Sequence, residues 1–269
     1  MLAAAAAFSL LSAASAAPAP QKTDAELARS AARIEAHVRF LADDQLEGRE
    51  AGTRGHDLAA LYVATQFRLM GLEPAGENGS FFQTVPMRSG TQLRDGARLA
   101  VARDGGVTEL VFEEDFLPSV NFDTGECALE APMVFVGQGV FAPELDHDDF
   151  AGVDLRGKVA VLLANAPARF PNDQRAFHAS GLEKLRELER RGAVGALFLG
   201  DPENEARRAW HLNAPNWARP GMRLLDRDGR PRDTFPGLGC RASMRMQRAE
   251  VIFAGSPHTT DEVWTMLAE

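Results

Sequence analysis

The sequence is short of lysine, of cysteine and of long apolar runs. Its only lysines are Lys22, Lys158 and Lys184, and the other basic residues are arginines, a bias that reads as genome composition. Bases number 29 against 38 acids, a net charge of -9. The basic excess of a general nucleic-acid binder is therefore missing, and no nucleic-acid partner is expected. Cys127 and Cys240 are the only cysteines. Two thiols so far apart make neither a zinc motif nor a CxxC redox pair. Two readings stay open for them: one disulfide formed in an oxidising compartment, or two buried free thiols. Beyond the N-terminus no stretch approaches the roughly 18 apolar residues of a transmembrane helix, so no membrane span is expected. There are no internal repeats.

What is there suits a folded protein. The chain has 269 residues, 45% apolar and 25% charged, a length compatible with two domains. Residues 1–20 carry no charge and run from an apolar stretch into small residues, Ala14-Ser15-Ala16 among them. That pattern reads either as a secretory signal lacking its basic start or as an Ala-rich tail, and it makes export the expectation. Residues 23–44 repeat Leu27, Ala31, Ile34, Val38 and Leu41 at spacings of four and three, one stripe of an amphipathic helix. Thr23 and Glu26 have the form of a capping box. A second helix is expected over 56–70, with Leu58, Leu61, Tyr62, Thr65 and Leu69 buried and Gly71 as its stop.

Further on, residues 97–102 and 107–112 flank Arg103-Asp104-Gly105-Gly106 and predict a β-hairpin. The polar stretch 116–130 reads as a linker between domains. Residues 133–136, 159–163 and 193–199 are short apolar runs expected as buried strands, with a helix over 182–191. Residues 204–236, rich in Arg, Pro, Asn and Trp, read as a long surface excursion. Short helices are expected over 245–254 and 261–267. The last of these is still running at Glu269, so the sequence reads as cut rather than finished.

Two stretches go further than fold class. FLADDQLEGREAGTRGHDLAALYVATQFRLMGLEPAGENGSFFQTVP, residues 40–86, resembles the N-terminal segment of secreted di-zinc aminopeptidases. That superfamily also includes glutamate carboxypeptidase and the transferrin receptor ectodomain. The LEGR turn, the spaced glycines, the helix ending in GLEPAG and the aromatic-Gln-x-x-Pro strand come in the same order. PMVFVGQGVFAPELDHDDFAGVDLRGKVAVLL, residues 132–163, with RRGAVGALFLGDP, residues 190–202, resembles the protease-associated (PA) domain inserted in many members. The resemblance implies a mixed α/β architecture: a helical lead-in and hairpin of a split zinc-peptidase domain over 21–115, the linker 116–130, a PA domain of strands with flanking helices over 131–255, and over 256–269 the start of a return to the peptidase domain.

It also implies a hydrolase with two zinc ions held by two His and three acidic residues, a peptide substrate, and removal of N-terminal residues. Paired metals polarise the peptide carbonyl and lower the pKa of the attacking water. The chain departs from that pattern. Its one His-x-Asp, at His147-Asp148-Asp149, follows a loop and reads as a solvated acidic segment. No catalytic or metal-binding residue is expected here; the zinc ions and their ligands belong to a catalytic module outside these residues. That module would be this segment's partner, and the fragment alone would be inactive. Gly137-Gln138-Gly139 lacks the rest of a dinucleotide fingerprint and reads as turn chemistry, Ser180 as an N-cap, and His37 as a structural residue. Arg207, Arg208, Trp210 and Trp217, with Arg219 and Arg223, are candidate contacts for substrate or partner. The opposing reading packs both tryptophans under the loop and pairs the arginines with Asp226, Asp228 and Asp233. The alternative to an enzyme is a non-catalytic protein that binds peptide or protein through the PA domain.

Overall fold

The structure, a computed structural model, describes residues 22–268. The expected signal segment 1–20 lies outside them. The chain divides after Thr84 into two compact units.

The first unit is helical. Helix α1 (Asp24–Leu41) begins at the predicted capping box: Glu26 N–H donates to Thr23 Oγ1, 3.3 Å, and Thr23 N–H donates to Glu26 Oε2, 2.7 Å. Helix α2 (Arg54–Leu69) is capped by Thr53 and ends as expected at Gly71, whose φ is 76°. Phe40 stacks on Tyr62 at 4.1 Å, and His37 Nδ1 lies 2.8 Å from the Tyr62 hydroxyl, tying the helices together. The buried set is small. α1 buries none of its residues and α2 only Gly55 and Ala64, with Leu46 of the short 44–46 turn beneath them. Leu61 and Leu69, expected inside, are exposed.

The second unit is mixed α/β. In chain order it contains β1 (Met87–Gly90), β2 (Leu99–Arg103), β3 (Gly106–Leu110), β4 (Phe116–Pro118), β5 (Met133–Phe135), β6 (Phe141–Ala142), β7 (His147–Asp148), β8 (Val159–Leu163), α3 (Asn172–His178), α4 (Gly181–Arg190) and β9 (Gly195–Leu199). There follow α5 (Pro202–Arg207), α6 (Trp210–Asn213), β10 (Gly221–Leu224), β11 (Cys240–Met244), α7 (Glu250–Phe253) and α8 (Thr260–Ala268). The main sheet has the order β4-β11-β9-β8-β5; all neighbours are parallel except β4, which runs antiparallel to β11. Strand alternation splits β8 between two cores. Ala160 and Leu162 face a core built with Leu188 of α4, Phe150, Leu155 and Leu238. Val161 and Leu163 face one built with Val101, Leu110, Phe116, Met244, Phe253 and Val263.

Three expectations change. The division does not fall at 116–130, because Val101 and Leu110 of the hairpin share a core with Leu197 and Leu199 of β9. The segment read as a linker contains β4 and the buried Phe122. The stretch 204–236 is no plain loop, since it carries α5, α6 and β10, which pairs antiparallel with β1. Residues 256–269 contribute Val263 of α8 to the core of this same unit. Cys127 and Cys240 are joined as a disulfide, which fastens the 119–131 segment to the start of β11.

Candidate functional site

In open α/β sheets the loops at the carboxyl ends of parallel strands converge, and ligand sites favour that edge. Here the edge is built around a buried cation. Lys184 of α4 is 2% exposed, and its ammonium donates to the carbonyl oxygens of Gln138, Leu163 and Asn165 at 2.5, 2.9 and 2.5 Å. In its protonated form three donors meet three acceptors. Burial lowers its pKa to about 7, while Asp149 and Asp201 act in the opposite sense.

The neighbouring carboxylates are also committed. Asp149 Oδ2 accepts from the backbone N–H of Gln138, 3.1 Å, and Val140, 2.9 Å. That contact explains Gly137: its φ is 54°, and a Cβ there would sit 3.0 Å from Asp149 Oδ1. The Gly-x-Gly is turn chemistry around a buried aspartate. Asp201 caps α5 through Asn204 N–H at 2.9 Å and accepts from Asn165 Nδ2 at 3.2 Å. Glu203 holds Arg175 at 3.0 Å. Lys184, Asp149, Asp201 and Glu203 are each partnered within the fold, and the edge works as a clamp on strand ends.

The His-x-Asp segment lies beside it. The structure corrects the reading of a solvated loop: the side chains of His147 and Asp149 are 17% and 13% exposed, and His147 opens β7. Arg169 donates to His147 Nδ1 at 3.0 Å, which leaves the ring proton on Nε2, 3.1 Å from Asp149 Oδ1. His178 donates to Glu144 at 3.0 Å and packs edge-on against Phe170, as does His147. This cluster does not fit zinc. The lone pair of His147 Nδ1 faces a guanidinium, and one oxygen of Asp149 is occupied by two backbone donors. Among the described residues no three His, Cys, Asp or Glu side chains are grouped to hold a metal ion.

The candidate contact residues divide: Trp210, Trp217 and Arg223 are half-buried, and Arg207, Arg208 and Arg219 are exposed. Trp210 Nε1 donates to Glu113 O at 2.8 Å, and Trp217 meets Phe112 edge-on at 5.1 Å, so both tryptophans anchor the excursion to the segment after β3. Arg207 pairs with Glu203 at 2.6 Å, and Arg208 is exposed. The aspartates do not take the loop's arginines: Asp233 pairs with Arg186 of α4, and Asp226 caps the backbone of Asp228 and Arg230. Ser180 occupies the N-cap position of α4 but makes no capping bond with its side chain. Sequence reasoning missed Lys184, whose signal was a single lysine one turn before the buried Leu188 on the same face of α4, in a chain nearly free of lysine.

In the first unit, the LEGR turn borders a hollow of about 460 Å³ lined by Phe40, Asp43, Gln45, Leu46, Glu47, Arg54 and Leu58. Glu47, Gly48 and Arg49 all have positive φ there.

No family profile and no curated protein matches the chain. Among solved structures it is similar to BSAP, a zinc aminopeptidase from Bacillus subtilis, with 17% identity and a TM-score of 0.28 over 63% of this chain. The chain spans 32% of that protein's length.

Proposed function

We propose that this chain is the N-terminal and PA-domain portion of an exported zinc aminopeptidase, whose paired zinc ions and their ligands lie outside the residues described here. The observation that carries the reading is the lead-in helix. α1 is an 18-residue amphipathic helix with none of its residues buried, and Leu27, Ile34 and Val38 are 52%, 62% and 58% exposed. Contiguous apolar surface of this kind marks a face built for another surface. α1 leads into residues 40–86, whose order of LEGR turn, capped helix and GLEPAG stop resembles the lead-in of the di-zinc aminopeptidases. The disulfide suits an oxidising compartment, and no helix among the described residues is long and apolar enough to cross a membrane.

The test is metal analysis of the dialysed chain alongside hydrolysis of leucine p-nitroanilide with added zinc. The expected result is less than stoichiometric zinc and no turnover. One or two tightly held zinc ions per chain would overturn the division of labour. The parent enzyme is expected to carry, outside these residues, a hydrophobic strand followed by His-x-Asp and a Glu-Glu pair. Substituted ligands at those positions would replace the enzyme with a binding protein.

A further inference from the structure

The pairing of β1 with β10 contains an electrostatic anomaly. The register sets Arg88 directly opposite Arg223, and Gly90 directly opposite Gly221. Like charges in facing positions on adjacent strands are destabilising. Strand alternation puts all four residues on one face of the ribbon. That face is packed: a Cβ on Gly90 would come 2.7 Å from Val120 Cγ1, and one on Gly221 would come 3.2 Å from the Phe122 ring. Phe122 therefore lies over the paired glycines with the paired arginines beside it.

Both guanidinium groups close on that aromatic residue, and a third joins them. Arg88 donates to Phe122 O at 3.1 Å and to Gly229 O at 3.4 Å. The Arg223 guanidinium stands 5.0 Å from the Phe122 ring centre. Arg241 of β11 donates to Val120 O at 3.2 Å. Burial and the charge of Arg223 lower the pKa of Arg241, with Asp123 and Glu189 acting in the opposite sense.

None of the three arginines makes a salt bridge among the described residues. In a chain with 38 acids against 29 bases, carboxylates are in surplus. Of those nearby, Glu189 accepts from Gly237 N–H, Asp233 pairs with Arg186, Asp226 caps a turn, and Asp123 raises the Arg241 pKa without forming a salt bridge to any of the three. The three guanidiniums are left with neutral carbonyls and two aromatic faces, Phe122 for Arg223 and Phe235 for Arg241. Arg223 is the least well satisfied. Its hydrogen bond goes to the adjacent Met222 O, and its Nε is buried without an acceptor. A buried donor without a partner is costly, and guanidinium forks match the two oxygens of an oxyanion.

We propose that Arg88 and Arg223 at Phe122, with Arg241 at the neighbouring Val120 carbonyl, form a binding site for an oxyanion, carried by a carboxylate of an acidic peptide or by free phosphate. A bound oxyanion supplies the missing counter-charge for the facing arginines and an acceptor for Arg223. The site lies in the β1–β10 ribbon and β11, and does not depend on the peptidase reading. Loss of either conclusion leaves the other standing.

The experiment is thermal unfolding of the oxidised chain at constant ionic strength, titrated separately with triglutamate, inorganic phosphate, and triglutamine as the uncharged control. A ligand that binds only the folded state raises Tm. The expected result is a saturable rise with at least one of the two anions and none with triglutamine. A response to triglutamate alone assigns the site to peptide carboxylates, and a response to phosphate alone assigns it to phosphate. Arg223→Gln and Arg88→Gln are expected to weaken apparent binding at least tenfold, the loss of one charge-assisted contact. Arg88 is exposed, so its variant keeps the fold and decides the matter if Arg223→Gln does not. No saturable shift with either anion, or an undiminished shift in Arg88→Gln, would overturn the proposal.

Discussion

Lys184 donates to the carbonyl oxygen of Leu163 across 2.9 Å and so joins helix α4 to the last residue of the strand it covers. The same ammonium reaches Gln138 and Asn165, which makes one side chain the common partner of the turn after β5 and the end of β8.

Replacing it with methionine leaves three buried carbonyl oxygens without their donor. Lys184→Met is expected to destabilise the chain by about 2–4 kcal/mol. The effect depends on pH in a defined direction. Burial lowers the Lys184 pKa from 10.5 to about 7. Between those values the unfolded chain holds a proton that the folded chain does not, so the stability due to this side chain rises with pH and is lost as pH falls through about 7. Urea midpoints taken at about pH 6 and about pH 9 should therefore diverge further between wild type and variant at the higher pH. A gap that stays constant across that range would show that Lys184 keeps its proton.

The disulfide is the second point of leverage. It closes a separation of 113 residues between the 119–131 segment and the first residue of a central strand. On the loop-entropy account a crosslink of that span is worth roughly 4–5 kcal/mol. Cys127→Ser and Cys240→Ser are expected to give the same loss singly and together, and reductant should reproduce it in wild type. Thiol titration should find none before reduction and two after, and any free thiol in the native oxidised chain would contradict the pairing.

The first unit rests on a close approach. Gly55 of α2 lies against the Leu46 carbonyl, where a Cβ would sit 1.7 Å from the oxygen. Gly55→Ala cannot be fitted without moving backbone, and it should undock α2 from the 44–46 turn. Hydrogen exchange is the readout: residues 54–69 should lose protection while β8 and β9 keep theirs. Equal loss in both places would mean that the division after Thr84 is not an energetic one.

Much of the second unit was legible because local chemistry and tertiary packing agree there. Asp104 and Gly105 take the positive φ of a tight hairpin turn, as their sequence suggests. The passage from α4 through Gly192 into β9 follows from an amphipathic helix, a stop and an apolar run. What escaped was set at long range. β11 reads Cys-Arg-Ala-Ser-Met, with no apolar run to announce it, yet it lies between β9 and β4. β10 is a strand only because residues 87–90 come back to pair with it. The clash of Arg88 with Arg223 is a fact of register, and register is invisible when the two strands are read separately. The tryptophans were legible as anchors or as contacts but not as one of the two, since nothing local placed Phe112 and Glu113 beneath them.

The bond between Cys127 and Cys240 also decides what a cut in the chain would do. The excursion between them, through α5, α6 and β10, holds many exposed Arg positions. A tryptic nick anywhere between the two cysteines leaves both pieces covalently attached, and β11 stays paired with β9 from the other side of the cut. Such a molecule would migrate at full mass until reductant is added. Processing in this region, if it occurs in an oxidising compartment, yields a two-chain protein rather than two fragments.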